Sequence, residues 1–159
     1  MTNATTVERK SERELVVTRT VNGPARIVFE AWTNPELFLG WWVPKSSPVS
    51  LLSSEMDIRT GGSYRLEFGH PASEKPMAFF GTYVEVTPSR LVWTNEESDD
   101  GAVTTVTFEE KGDTTLVVLH ELYPSKEALD AAMASGSTSG FGEQFGQLDE
   151  LLVKLGANR

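Results

Sequence analysis

The sequence predicts an α+β domain: a curved antiparallel sheet of about six to seven strands wrapped around a long C-terminal helix, with two short helices after the first strand. Three observations carry that expectation. Between residues 49 and 122 the chain is a run of alternating apolar and polar segments joined by short turns. Ahead of it lie a β-branched strand and a helix pair punctuated by proline. Behind it, Phe141 to Leu155 places Phe141, Phe145, Leu148, Leu151, Leu152 and Leu155 within an arc of roughly 120° at helical spacing.

Each element follows from its residues. ELVVTRTV at 14–21 is β-branched and reads as a strand. Gly23-Pro24 ends it, and ARIVFEAWT at 25–33 sets Val28 and Trp32 four apart beside Ile27 and Ala31, one apolar helical face. Asn34-Pro35 breaks that helix, and a second short one is expected over 36–42, stopped by Pro44. Residues 49–58 read as a strand ended by Gly61-Gly62, which a tight turn or bulge explains better than a phosphate loop, since another strand follows. Asp57 and Arg59 in that stretch suggest a surface ion pair.

Tyr64, Leu66 and Phe68 alternate with charged residues in the next strand, and 69–76 is expected to turn. Phe79, Gly81 and Tyr83 share a face of the strand that follows. Leu91, Trp93 and Asn95 share a face of the next, and Thr104, Val106 and Phe108 of the one after. Residues 96–101 form an acidic loop, and Lys111-Gly112-Asp113 turns into TTLVVLHEL at 114–122. A short helix over 125–134 and a flexible joint at 135–140 lead to the final helix, with Glu143, Gln147, Glu150 and Lys154 opposite its apolar arc. Gly142 and Gly146 interrupt it at a cost of ~1 kcal/mol each, which predicts close packing against another element there; a backbone that lines a void and a self-association face are the alternatives.

Composition narrows the function. A chain of 159 residues with 39% apolar and 23% charged residues reads as one globular domain over 14–159, preceded by a polar tail, 1–13, expected to be mobile. A formal charge of −9 disfavours nucleic acid and anionic membrane surfaces as partners. The absence of cysteine rules out disulfides, thiol nucleophiles and thiolate metal sites, and fits a cytoplasmic location. With two histidines there is no three-His metal site. No apolar stretch approaches the ~18 residues of a membrane span, and no secretory leader is evident. No cofactor motif appears.

The strand faces predict an inner wall rich in aromatic rings, the make-up of a small-molecule pocket or of a filled core. Its candidates are Tyr64, Leu66, Phe68, Phe79, Tyr83, Trp93 and Asn95 from the strands, and Phe141, Phe145 and Leu148 from the last helix. Val118 and His120 join them if the Leu116 face of their strand turns inward. His120 would then orient a ligand or move a proton. Otherwise it is a half-buried imidazole bonded to a neighbour, for a lone histidine specifies no chemistry. Trp41 and Trp42 either close one end of the cavity or divide between core and edge. His70, in a turn, reads as solvated, and the paired acids at 96–100 and 109–110 lie in or near solvated loops.

The runs VFEAWTNPE at 28–36, WWVP at 41–44, DIRTGG at 57–62, GTYVEV at 81–86, RLVWT at 90–94, VTF at 106–108, TLVVLH at 115–120 and GF at 140–141 together resemble the family of activator of heat shock protein 90 ATPase homologues. The likeness spans about Leu15 to Leu155. It implies membership of the helix-grip superfamily, shared with START lipid-transfer domains, the birch pollen allergen and polyketide cyclases. It also implies a cavity between sheet and C-terminal helix that holds a small apolar or aromatic ligand. No catalytic residue is implied. The eukaryotic activators carry an additional N-terminal, chaperone-binding domain, which is not expected here, since only a short polar segment precedes the first expected strand. A chaperone-regulating or stress-response interaction role and a cyclase- or hydrolase-like enzyme using His120, Tyr83 and Asn95 are the alternatives. A homodimer is compatible with all three.

Overall fold

In the computed structural model, which describes residues 5–43, 45–46, 49–71, 73–96, 101–134 and 141–157, eight strands and four helices follow the expected order. They are β1 (Thr6–Arg9), β2 (Glu14–Val21), α1 (Ala25–Thr33), α2 (Pro35–Trp42), β3 (Ser50–Met56) and β4 (Ser63–His70). β5 (Ser73–Thr87), β6 (Arg90–Thr94), β7 (Val103–Lys111), β8 (Thr114–Leu122), α3 (Lys126–Ala134) and α4 (Phe141–Ala157) complete the chain. The strands form one antiparallel sheet in the order β1-β2-β8-β7-β6-β5-β4-β3. From β3 to β8 it is a meander, and β2 closes against β8 because the helix pair carries the chain across the sheet.

Local chemistry explains the joints. Asn34 ends α1 and caps α2, its side chain accepting from the Glu36 amide at 3.0 Å, with Pro35 at the start of the helix where its missing N–H costs nothing. Gly61 has φ +88°, and a Cβ on Gly62 would lie 2.0 Å from the Asp57 carbonyl oxygen, so both glycines serve the turn into β4. Asp57 and Arg59 pair at 2.9 Å on the surface, in that turn rather than on a strand.

Four expectations need correction. Residues 6–9, expected in a mobile tail, form the edge strand β1, paired with Leu15–Thr18. All four of its side chains are exposed, so its hold is backbone hydrogen bonding, which hydrophobic patterning does not register. The turn between β4 and β5 is shorter than 69–76, since His70 already pairs with Ser73. Gly142 and Gly146 face open space rather than a close neighbour, and a Cβ added at either would meet nothing within 4 Å. Finally Gln147, placed by periodicity on the solvent side of α4, is 7% exposed. Its Nε2 donates to the carbonyls of Trp41 (2.8 Å) and Val43 (2.9 Å), satisfying the C-terminal end of α2. The expected joint at 135–140 and the acidic residues 97–100 lie outside the described residues.

α4 is held on β2 by charge as well as by apolar contact. Arg19 Nε and Nη2 donate to Asp149 Oδ2 at 2.8 and 2.6 Å, with both side chains 11% exposed. The Asn22 amide donates to the other carboxylate oxygen at 2.9 Å. Below this anchor Phe145, Leu148 and Leu152 pack with Val17, Val21, Val28 and Leu119 in a solid core.

Candidate functional site

Register decides which residues face the helices. Val106 pairs with Leu119 and Phe108 with Val117, all buried, so β8 turns Thr115, Val117, Leu119 and Glu121 inward. Leu116, Val118 and His120 fall on the opposite face. Across the inner face, Tyr83, Trp93, Thr104 and Glu121 form one ladder over β5, β6, β7 and β8.

Over this end of the sheet the helices stand off and leave a cavity of about 690 Å³. Its roof is built from small side chains, Ala128, Ala131 and Ala132 of α3, with Phe141 and Gln144 from the first turn of α4. Trp32, Phe38 and Trp42 from α1 and α2 form one wall; Met56, Tyr64, Leu66, Phe68, Phe79, Tyr83, Leu91 and Trp93 form the sheet side. Phe79, 42% exposed, carries the lining out to solvent.

The rings hold one another. Trp32 lies 4.6 Å from Trp41, 5.9 Å from Trp42 and 6.0 Å from Trp93, centroid to centroid, within the range where edge and tilted contacts add to burial. Phe38 stacks on Trp42 at 4.9 Å. The Trp32 indole N–H is buried without an acceptor among the described residues. Trp41, by contrast, donates to the Ala31 carbonyl at 3.0 Å.

Polar groups in the lining are few and differ in how well they are satisfied. Asn95 is fully engaged: its Oδ1 accepts from Tyr64 Oη at 3.1 Å, and its Nδ2 donates to the Ala102 carbonyl at 2.6 Å and to Thr104 Oγ1 at 3.3 Å. Tyr64 also donates to the Thr94 carbonyl at 2.8 Å. This network fixes the wall. Tyr83 makes no side-chain hydrogen bond among the described residues, and burial pushes its hydroxyl pKa well up, so it stays a protonated donor.

Glu121 is the one carboxylate of the lining among the described residues. Tyr123 Oη donates to it at 2.9 Å, and no ion pair engages it among the described residues. Desolvation raises its pKa above the ordinary glutamate value, against the smaller opposing effects of the Tyr123 bond and the His120 charge. Part of its surface stays accessible because it looks into the hollow rather than into packed protein.

Of the residues expected from sequence, Trp42, Tyr64, Leu66, Phe68, Phe79, Tyr83, Trp93, Asn95 and Phe141 line the cavity. Five do not. Trp41, Phe145 and Leu148 are fully buried in the solid core, because only the first turn of α4 borders the hollow. Val118 and His120 are on the far face of the sheet, where His120 Nε2 lies 3.0 Å from Glu14 Oε2. His120 is therefore not brought together with Tyr83 and Asn95. Glu121, Tyr123, Gln144 and the alanines of α3 are among the lining residues that sequence reasoning missed. TTLVVLHEL is apolar on both faces, so alternation alone does not choose the inner one. Trp32 and Phe38 were legible as apolar helix positions, but not as cavity wall.

A sheet that grips a helix and leaves a lined hollow beside it is a helix-grip domain. The chain belongs to the family described as Activator of Hsp90 ATPase homolog 1-like protein, whose model matches residues 22–153. Among solved structures it is similar to a protein from Staphylococcus epidermidis, with 26% identity, coverage of 94% of each chain and a TM-score of 0.76. A Nitrosomonas europaea protein is 24% identical over 94% of this chain and 99% of that one, with a TM-score of 0.81. A Rhodobacter sphaeroides protein is 20% identical over 95% and 99%, with a TM-score of 0.83. At 20% and 24% identity the likeness speaks to fold alone. No curated protein matches. Among the described residues no helix is long and apolar enough to cross a membrane, and no cluster of His, Asp and Glu is arranged to hold a metal ion.

Proposed function

We propose that this chain is a binding module whose occupant, a small molecule with a largely apolar or aromatic body, sits between the sheet and helices α2, α3 and α4. The supporting observation is the hollow itself. Protein interiors pack at crystal-like density and contain few voids larger than a water molecule, and each void costs stability. Here about 690 Å³ is left open beside a buried apolar core, within the size range of small-molecule sites. Its lining is mostly aromatic and aliphatic with a few placed polar groups, the usual composition of such sites.

Saturable uptake of an apolar, environment-sensitive dye tests the reading. The unmodified protein is expected to bind dye and quench Trp fluorescence, since Trp32, Trp42 and Trp93 all line the hollow. Ala132→Trp, which adds bulk to the roof, is expected to abolish uptake while the far-UV spectrum stays native. Ala128→Phe is a second filling variant should the first misfold. No saturable uptake by the unmodified protein, or uptake unchanged in both folded variants, would overturn the reading.

A further inference from the structure

We propose that the occupant of this cavity is an organic cation, an amine on an apolar body, with its ammonium group on Glu121. The inference rests on the binding-site reading above and specifies its chemistry. Three features of the site support it independently of the cavity's size.

The first is an uncompensated carboxyl. Glu121 stands at the β8 end of the inner-face ladder, and a hydrogen bond from Tyr123 Oη at 2.9 Å fixes one of its oxygens. The second oxygen has no partner among the described residues. Neighbouring basic side chains are engaged elsewhere. His120, on the far face, lies 3.0 Å from Glu14, and Arg13 Nε donates to the Tyr123 carbonyl at 2.8 Å. An acid enclosed without a counter-charge is costly to ionise, and its raised pKa reflects that cost. A bound ammonium supplies both the missing charge and the missing donor in one contact.

The second is the company that acid keeps. Trp93 stands two strands along the same ladder, about 10 Å away at ordinary strand spacing, and Tyr123 is bonded to the carboxyl directly. Aromatic faces attract a cation as well as an apolar body, and a desolvated site strengthens that attraction. The third is the field of the whole chain, −9 at neutral pH, which concentrates organic cations and repels carboxylates. A carboxylate-bearing apolar molecule would place a second negative charge against Glu121 with no basic residue in the lining, among the described residues, to receive it.

Three probes with a shared body decide the matter by titration calorimetry: 2-(2-naphthyl)ethylamine, the corresponding alcohol, and 2-naphthylacetate. The amine is expected to bind at least about tenfold tighter than the alcohol, and the carboxylate to bind weakest. Glu121→Gln should bring the amine down to the alcohol's level, and Glu121→Asp, which keeps the charge, should retain the preference. Equal affinity for amine and alcohol in the unmodified protein overturns the cation assignment and leaves the binding reading standing. That comparison needs no variant to fold. If none of the three probes binds and the dye test above also fails, both readings fall together. If the dye binds and none of the three does, the cation assignment alone falls.

Discussion

The two halves of the inner sheet face are built from the same kinds of residue and end differently. Over β2, β8 and the adjoining part of β7, helices α1 and α4 bring Val28, Phe145, Leu148 and Leu152 together with Val17, Val21 and Leu119 in one buried cluster. Toward β4 to β6 the hollow intervenes: α3 borders it with alanines, while the rings of Trp32 and Trp42 reach Trp93 of β6 at 6.0 and 6.2 Å and close one side. The contrast shows that a hollow needs no special sheet. It needs a roof whose side chains are too short to reach, held up by a neighbouring half packed well enough to carry the domain.

If that division is right, the largest effect of truncation belongs to the solid half. Phe145→Ala, at a side chain with no exposed surface, is expected to cost about 3–5 kcal/mol in urea unfolding. A loss of under ~1 kcal/mol would show that the core around α4 is loose, and the comparison would break.

The hollow half should respond with the opposite sign. Glu121 has a folded-state pKa above its unfolded value, so the fold favours its protonated form. The corresponding stability is fully present below the unfolded pKa and is lost as pH rises through the folded one. Glu121→Gln removes that loss. Its melting temperature is expected to match the unmodified protein near pH 4 and to exceed it increasingly toward neutral pH. A variant less stable at pH 7 would mean the carboxylate is favoured where it stands, contrary to an uncompensated site.

The smallest effect is expected at α4's glycines. Since a Cβ on Gly142 or Gly146 meets nothing within 4 Å, alanine there should stabilise by about 0.5–1 kcal/mol each, through helix propensity alone. Destabilisation would point to a hidden close contact.

Much of the fold was legible in the residues. Tyr64, Leu66 and Phe68 alternate with exposed neighbours and are buried as alternation requires. The Asn34-Pro35 break and the apolar arc of α4 also stand where the sequence put them. The site was legible where a strand has one apolar face, and illegible where it has two or where a polar side chain is buried for a specific bond. Hence Trp93 is legible as lining and Glu121 is not, and Gln147 reads as solvent-facing although it caps α2.

By itself, then, the sequence determined the element order, the aromatic character of the inner wall and the amphipathic last helix, because periodicity and turn chemistry are local properties of the chain. Only the tertiary structure decided which face of β8 looks inward, which aromatic rings meet the hollow and which fill the core, and that Glu121 borders it. Those outcomes depend on strand register and on the distance at which a helix docks, and both are fixed by contacts between residues far apart in the chain.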